Sequence, residues 1–215
     1  MLSHKDRYLG LKEKHLIVIV NGYGCHLDTP LSWIYLPKVV RFVNENAHRL
    51  TEVICCGGYT QRRTAPGVSE AELMSRYILS HCNRDILSSM IFIEADSYTS
   101  YENSLRAAGR IEQLFKRQDG SGGKVHLHRE NVHIVHVHFC EATRAANVAM
   151  LDRHFISGRA LASYFDIAIE TASWELADPF KQVGNLVYNR MAIKYPWLGL
   201  AERERQRRIA RAEHI

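Results

Sequence analysis

The sequence predicts an α/β fold, a mainly parallel sheet of about five strands between helical layers, followed by a C-terminal helical extension. Three observations predict it. Short apolar runs alternate with longer stretches whose apolar residues recur at helical spacing. The first run, Leu16-Ile-Val-Ile-Val20, is unbroken by polar residues, as expected of a strand covered on both faces. The intervals between runs are long enough for helical crossovers, which parallel strands require.

After that first strand, Pro37 to Leu50 reads as a helix, with apolar residues at 39, 40, 43, 47 and 50. Glu52-Val-Ile-Cys-Cys56 is the second strand. Apolar positions 71, 74, 78 and 82 then mark a helix, Met90-Ile-Phe-Ile93 a third strand, and positions 101, 105, 108, 111 and 115 a third helix. Gln118-Asp-Gly-Ser-Gly-Gly-Lys124 reads as a surface insertion between elements. Val132 to Phe139 and Tyr164 to Ile169 complete the strands, Ala142 to Phe155 forms a further helix, and a helical region follows Pro179. Residues 1–215 are expected to form one domain, with a core over about 15–190 and a basic helical tail over about 198–215.

Composition narrows the function classes. Hydrophobic residues at 46% and charged residues at 24% are values of a soluble globular chain. The 28 basic residues exceed the 23 acidic ones by little, and much of the excess lies in residues 201–215. There, Arg and Glu interleave, which fits a solvated, salt-bridged helix and disfavours nucleic acid as the partner. The five cysteines, Cys25, Cys55, Cys56, Cys82 and Cys140, form no C-x-x-C pair, so they read as reduced thiols. The polar N-terminus and the short first apolar run show no leader or anchor, so a cytoplasmic protein without a membrane partner is expected.

Candidate site residues cluster where strands give way to helices, the edge at which ligands bind in open α/β sheets. Asn21-Gly22-Tyr23-Gly24 ends the first strand and lets backbone approach a ligand, but it lacks the third glycine of a dinucleotide fingerprint. Gly57-Gly58 follows the second strand, and Ser69 with Glu72 matches a capping box. Capping does not explain Glu70. In the third segment Thr99 and Glu102 fit a second capping box, while Glu94 and Asn103 await another reason. A carboxylate closing a buried strand, as Glu94 does, is costly unless it is hydrogen-bonded or faces a ligand. Glu70, Glu94 and Glu102 around one crevice would repel a bare phosphate. They suit ribose hydroxyls, a cation, or a divalent metal bridging to a nucleotide. Arg62 and Arg63 lie on a loop beside it. His136 and His138 share a strand face, where a metal with Glu141 is weighed against hydrogen-bonded core histidines, which are commoner. No residue set is assigned to a metal. His138 is the best-placed general base, and the absence of G-x-S-x-G argues against a serine hydrolase. Trp174, Tyr188, Tyr195 and Trp197 read as the apolar face of a C-terminal helical cover.

Taken together, the glycine turn after the first strand, Gly57-Gly58, Ser69-Glu70-Ala71, Glu94-x-x-Ser97-x-Thr99-x-x-Glu102-Asn103 and Arg144-Ala145 resemble the YdcF/SanA/ElyC-like family over about residues 15–190. The resemblance implies a Rossmann-like three-layer fold. It also implies a crevice lined by Asn21, Gly22, Gly24, Gly57, Gly58, Ser69, Ser97, Thr99, Asn103 and Arg144, with Glu70, Glu94, Glu102 and His138 as catalytic candidates. Members are linked to envelope biogenesis or to nucleotide-like ligands, with S-adenosylmethionine among those suggested, so the expected partner is a small molecule. The family usually carries His three residues before the Arg of its last motif, where this chain has Glu141. Two functions stay open: an enzyme of transferase or hydrolase type acting on a nucleotide-like or phosphorylated small molecule, and a ligand-binding or scaffold protein without turnover.

Overall fold

A computed structural model of the chain describes residues 15–22, 30–60, 66–83, 85–118, 127, 131–137, 142–156, 160–164 and 179–214. Its strands are β1 (His15–Asn21), β2 (Leu50–Cys56), β3 (Ile91–Glu94), β4 (Val132–Val137) and β5 (Ala160–Tyr164). They lie in the order β3-β2-β1-β4-β5, and every neighbouring pair is parallel. The helices are α1 (Pro30–Glu45), α2 (Glu70–His81), α3 (Ser100–Gln118), α4 (Ala142–Phe155), α5 (Pro179–Lys194) and α6 (Leu200–His214).

The strands alternate their apolar side chains between two layers, because successive side chains of a strand point to opposite faces. Leu16, Val18 and Val20 meet Val39 and Val43 of α1 and Met74 and Ile78 of α2. Ile17, Ile19 and Ile54 meet Ala107, Ala108 and Ile111 of α3, with Ile156 just past α4. The result is the Rossmann-like three-layer arrangement that the alternating pattern predicts. The chain winds outward from β1 through β2 to β3, then returns to place β4 on the other side of β1. The carboxyl ends of β1 and β4 therefore form a topological switch point, where open α/β sheets place their ligands. Among the described residues, no helix is long and apolar enough to cross a membrane.

Several expectations need correction. The sheet has five strands, with β3 and β5 at its edges, but the last strand enters earlier than predicted, pairing with β4 from Ala160 to Tyr164. Residues 165–169 lie outside the described residues. Ala160-Leu-Ala-Ser-Tyr164 carries no β-branched residue, so it lacks the signature that marks β1. α1 begins at Pro30 and carries Pro37 inside it, while Leu50 opens β2. Either proline could start a helix by the same preference for the first turn, and the later one was the wrong choice.

On α3 the buried face holds Asn103, Ser104, Ala107, Ala108 and Ile111, whereas Leu105 is 44% exposed. The apolar stripe read from the sequence was rotated, because two buried positions are polar. Trp197 is not buried in a helical cover. It is 74% exposed and meets Tyr195 edge to face.

Two buried polar contacts fix α3 and α4 on the sheet. Near the amino ends of the strands, the Arg110 guanidinium grips the buried Glu52 carboxylate with two hydrogen bonds and lies 4.3 Å from the Phe92 ring centre. Such a forked pair sets orientation as well as distance. Nearer the carboxyl ends, Asp152 of α4 accepts from Ser104 Oγ of α3 at 2.7 Å and bonds His136 Nδ1 of β4 at 2.7 Å. All three are fully buried. A carboxylate only accepts, so Nδ1 donates to it and the imidazole is held in one orientation.

Removing Asp152 would strand two buried donors together. Asp152→Ala is expected to lower stability by about 3–5 kcal/mol in urea denaturation, and Ser104→Ala by about 1 kcal/mol. A loss for Asp152→Ala no larger than that for Ser104→Ala would show that the carboxylate does not join the three elements.

Candidate functional site

β1, β2 and β3 end in step, with Asn21 opposite Cys56 and Cys56 opposite Glu94. The ladder runs on into the loops. The amide of Gly22 donates to the Cys56 carbonyl at 2.7 Å, that of Gly57 to the Glu94 carbonyl at 2.9 Å, and that of Gly58 to the Ser97 carbonyl at 2.6 Å. Gly58 is glycine because a Cβ there would lie 2.6 Å from the Ser97 carbonyl oxygen. These bonds gather the three loops into one polar edge.

The loop after β2 delivers Glu70 to that edge. Ser69 caps α2 as predicted: its Oγ accepts from the Glu72 amide at 3.1 Å, and the Glu72 carboxylate accepts from the Ser69 amide at 2.7 Å. That backbone bond holds the Glu72 carboxyl below its ordinary range. The amides of Glu70 and Ala71 donate to the carbonyls of Gly58 and Gly57, at 3.1 and 3.0 Å. The helix-end donors that could have cradled a phosphate are thus already occupied. The Glu70 side chain, 7% exposed, lies across Gly22 and Gly57 and accepts a hydrogen bond from Thr60 Oγ1. A Cβ on Gly22 would overlap Glu70 Oε2 and sit 2.7 Å from Glu70 Cβ, and one on Gly57 would sit 2.8 Å from it.

The loop after β3 supplies the other two carboxylates. Glu94 accepts from Ser97 Oγ and from the Asp96 amide at 3.0 Å, with Arg106 Nε 3.5 Å away. Burial pushes its carboxyl above the ordinary value, although these bonds and the guanidinium pull the other way. Thr99 caps α3 by accepting from the Glu102 amide at 3.1 Å. The return bond runs from the Tyr98 amide to Glu102 Oε2 at 2.8 Å, one residue before the position expected of a capping box. Arg205, from the middle of α6, donates from Nε to Glu102 Oε1 at 2.7 Å and lies 5.4 Å from the Tyr98 ring centre.

Glu94 and Glu102 are therefore each matched by an arginine. The case against a bare phosphate now rests on the occupied amides of α2.

Among the described residues, two amide oxygens along this edge lack hydrogen-bond partners. Asn21 is 4% exposed and Asn103 is 8% exposed, and the Oδ1 of each is buried without a hydrogen bond. Asn21 continues the face of Ile17 and Ile19, and Asn103 lies one turn before Ala107, so both extend the α3-side layer toward the carboxyl ends. A buried acceptor without a donor costs about 1–3 kcal/mol. In the same row Cys56 is fully buried, and burial and then Glu94 push its thiol well above its ordinary value; the Cys55 thiol is pushed up to about 12 by burial.

The structure thus assembles Asn21, Gly22, Gly57, Gly58, Ser69, Glu70, Glu94, Ser97, Thr99, Glu102 and Asn103 along the carboxyl ends of β1 to β3. Gly24, His138, Glu141, Arg62 and Arg63 lie outside the described residues, as does the side chain of Arg144. His136 is committed to Asp152, as a hydrogen-bonded core histidine. Among the described residues no group of three His, Cys, Asp or Glu side chains is arranged to hold a metal ion.

Sequence reasoning missed Asp152, Ser104, Thr60 and Arg205. An acid beside Val148 and Leu151 on a buried helical face was a usable signal for Asp152. Arg205 gave none, since it sits among the other arginines of α6. Comparison with protein-family models, with curated proteins and with solved structures finds no match for this chain.

Gly22→Ala is expected to destabilise the fold by about 1–3 kcal/mol through overlap with Glu70. On a Glu70→Gly background the same change should cost less than half as much in urea denaturation. Equal costs on both backgrounds would show that Glu70 does not occupy the space over Gly22.

The raised Glu94 carboxyl sets a pH dependence. The folded state holds this proton more tightly than the unfolded chain. Its contribution is therefore present below the ordinary carboxylate value and lost as pH rises through the raised one. Glu94→Gln should flatten the fall in stability from about pH 4 upward through the raised value, and an unchanged slope would assign that fall to another group.

Proposed function

We propose that this chain is a cytoplasmic, YdcF-type member of the YdcF/SanA/ElyC-like family. Its ligand is a nucleoside-like small molecule, such as a nucleotide or S-adenosylmethionine, bound outside the carboxyl ends of β1 to β3. One observation carries the reading. Two partnerless amide oxygens, Asn21 Oδ1 and Asn103 Oδ1, lie near the buried Glu70 at one end of a parallel sheet beside its topological switch point. Acceptors call for donors, and ribose hydroxyls and amino groups are donors. A bare phosphate offers none, and the amides of Glu70 and Ala71 are engaged. A phosphate carried by such a ligand would have to lie away from the start of α2.

Within this reading Glu94 and Glu102 are positioning residues, because their oxygens are held by Ser97, Asp96, Tyr98 and Arg205. Glu70 is the carboxylate placed to meet a hydroxyl, an amine or a divalent metal bound with a nucleotide. The same engagement of Glu94 and Glu102 favours a second reading, a binding protein without turnover, over a transferase or hydrolase that moves protons through them.

The test is thermal denaturation with adenosine, AMP, ATP with and without Mg²⁺, and S-adenosylmethionine. A ligand present at one hundred times its Kd stabilises the native state by about 2.7 kcal/mol. Glu70→Gln is expected to lose that response while melting near the unliganded wild type. Asn103→Leu should lose it while becoming more stable by about 1 kcal/mol, because an acceptor without a partner is removed. No shift from any compound, or shifts retained in both variants, would overturn the reading.

A further inference from the structure

A second surface lies away from this site. α4 starts at the carboxyl edge of the sheet, so its last turns point toward the amino edge. There, α4 and α5 flank an open groove of about 690 Å³. Its floor is apolar, formed by Met150, Leu186 and Ile193. Its rim is entirely basic, with Arg153 and His154 on α4 and Arg190 and Lys194 on α5, all exposed, and no acidic residue among the described lining. The buried hydrogen bond from Asn189 Nδ2 to Asn147 Oδ1, at 3.0 Å, fixes the spacing of the two helices, so the groove is preformed. On the adjoining face of α5, Val183, Val187 and Met191 are exposed at helical spacing and widen the apolar surface.

We propose that this groove docks an acidic amphipathic helix of a partner protein. An apolar floor between cationic rims matches a helix whose apolar face is flanked by Asp and Glu, the helix-in-groove mode with anchors at i, i+3, i+4 and i+7. Charge decides against a second copy of this chain. A two-fold interface would set the basic rims against each other in a protein whose formal charge is already +5. Shape decides against a bilayer, because a flat surface cannot fill a concave floor that projecting side chains can.

The test uses the full chain and a labelled 18-residue peptide with Leu at the anchor positions and Glu on both flanks, compared with the same peptide carrying Lys for Glu. Fluorescence anisotropy should show saturable 1:1 binding of the Glu peptide and at least tenfold weaker binding of the Lys peptide. Arg190→Glu combined with Lys194→Glu should weaken the Glu peptide at least tenfold, and Arg153→Glu provides an independent rim variant. Both sites are exposed, and unchanged melting curves would confirm that the variants fold. Raising the salt should weaken binding of the Glu peptide.

Equal binding of the two peptides, binding unaffected by both rim variants, or no binding at millimolar peptide would overturn the proposal. So would capture of the chain by phosphatidylglycerol vesicles without peptide binding, or a concentration-dependent dimer lost in the rim variants. The first of these would assign the face to a membrane and the second to self-association.

Discussion

The polar edge of this molecule depends on one close approach, that of the Glu70 side chain to the backbone at Gly22 and Gly57. A carboxylate is buried at the start of a helix only when its lone pairs are met and its neighbours leave it room. Two strands must end without a Cβ to provide the room. The amides of Glu70 and Ala71 must bond to the loop after β2 to fix the first turn. Once those conditions hold, the loop after β3 follows, because Gly58 can approach Ser97 and draw Glu94 and Glu102 into the same edge. The glycines are therefore constraints on the position of a side chain as much as features of a turn.

Beneath that edge the α3-side layer is unusual for a protein core. From Glu52 and Arg110 to Ser104, Asp152 and His136, buried polar groups recur where an apolar layer would have sufficed for stability. The partnered groups act by orientation, since a fork or a shared carboxylate fixes angles that apolar packing leaves free. The partnerless ones, Asn21 and Asn103, have no such return inside the molecule. Their position, one step beyond the last apolar layer, separates them from the pairs that hold the fold.

How much of this was legible in the sequence follows from the same physics. Strand β1 announces itself because burial on both faces favours an unbroken apolar run, β2 and β4 do so through Val and Ile despite Glu52, His133 and His136, and α2 does so because its cap and its apolar stripe agree. β5 did not, because an edge strand of small residues needs neither. α3 was placed correctly but turned, since a stripe built by counting apolar residues cannot find a face that carries Asn103 and Ser104. Position along the chain was enough to locate the edge where Glu70, Glu94 and Glu102 meet, since strand-to-helix junctions fall there in any parallel sheet. The partners of those carboxylates were not legible. Arg106 stands one helical turn from Glu102 yet lies against Glu94, and Arg205 is more than one hundred residues from Glu102, so only the fold brings them together.

That last contact changes what the acidic cluster means. Three carboxylates read from sequence alone form a strongly negative crevice, an argument for a cation. With Arg106 and Arg205 in place, Glu94 and Glu102 each have a guanidinium beside them, that of Arg106 being shared with Asp96. What distinguishes the site is then its buried acceptors, with the first amides of α2 already engaged. Selectivity of this kind comes from hydrogen-bond pairing more than from net charge, because a ligand that cannot donate leaves buried acceptors unmet, at a cost of about 1–3 kcal/mol each. Under the proposed reading, a ligand with several hydroxyl or amino donors would satisfy the site, and an equally charged one without them would not. The basic C-terminal helix, which from sequence reads as a solvated, salt-bridged one, supplies in Arg205 an internal counter-ion to Glu102.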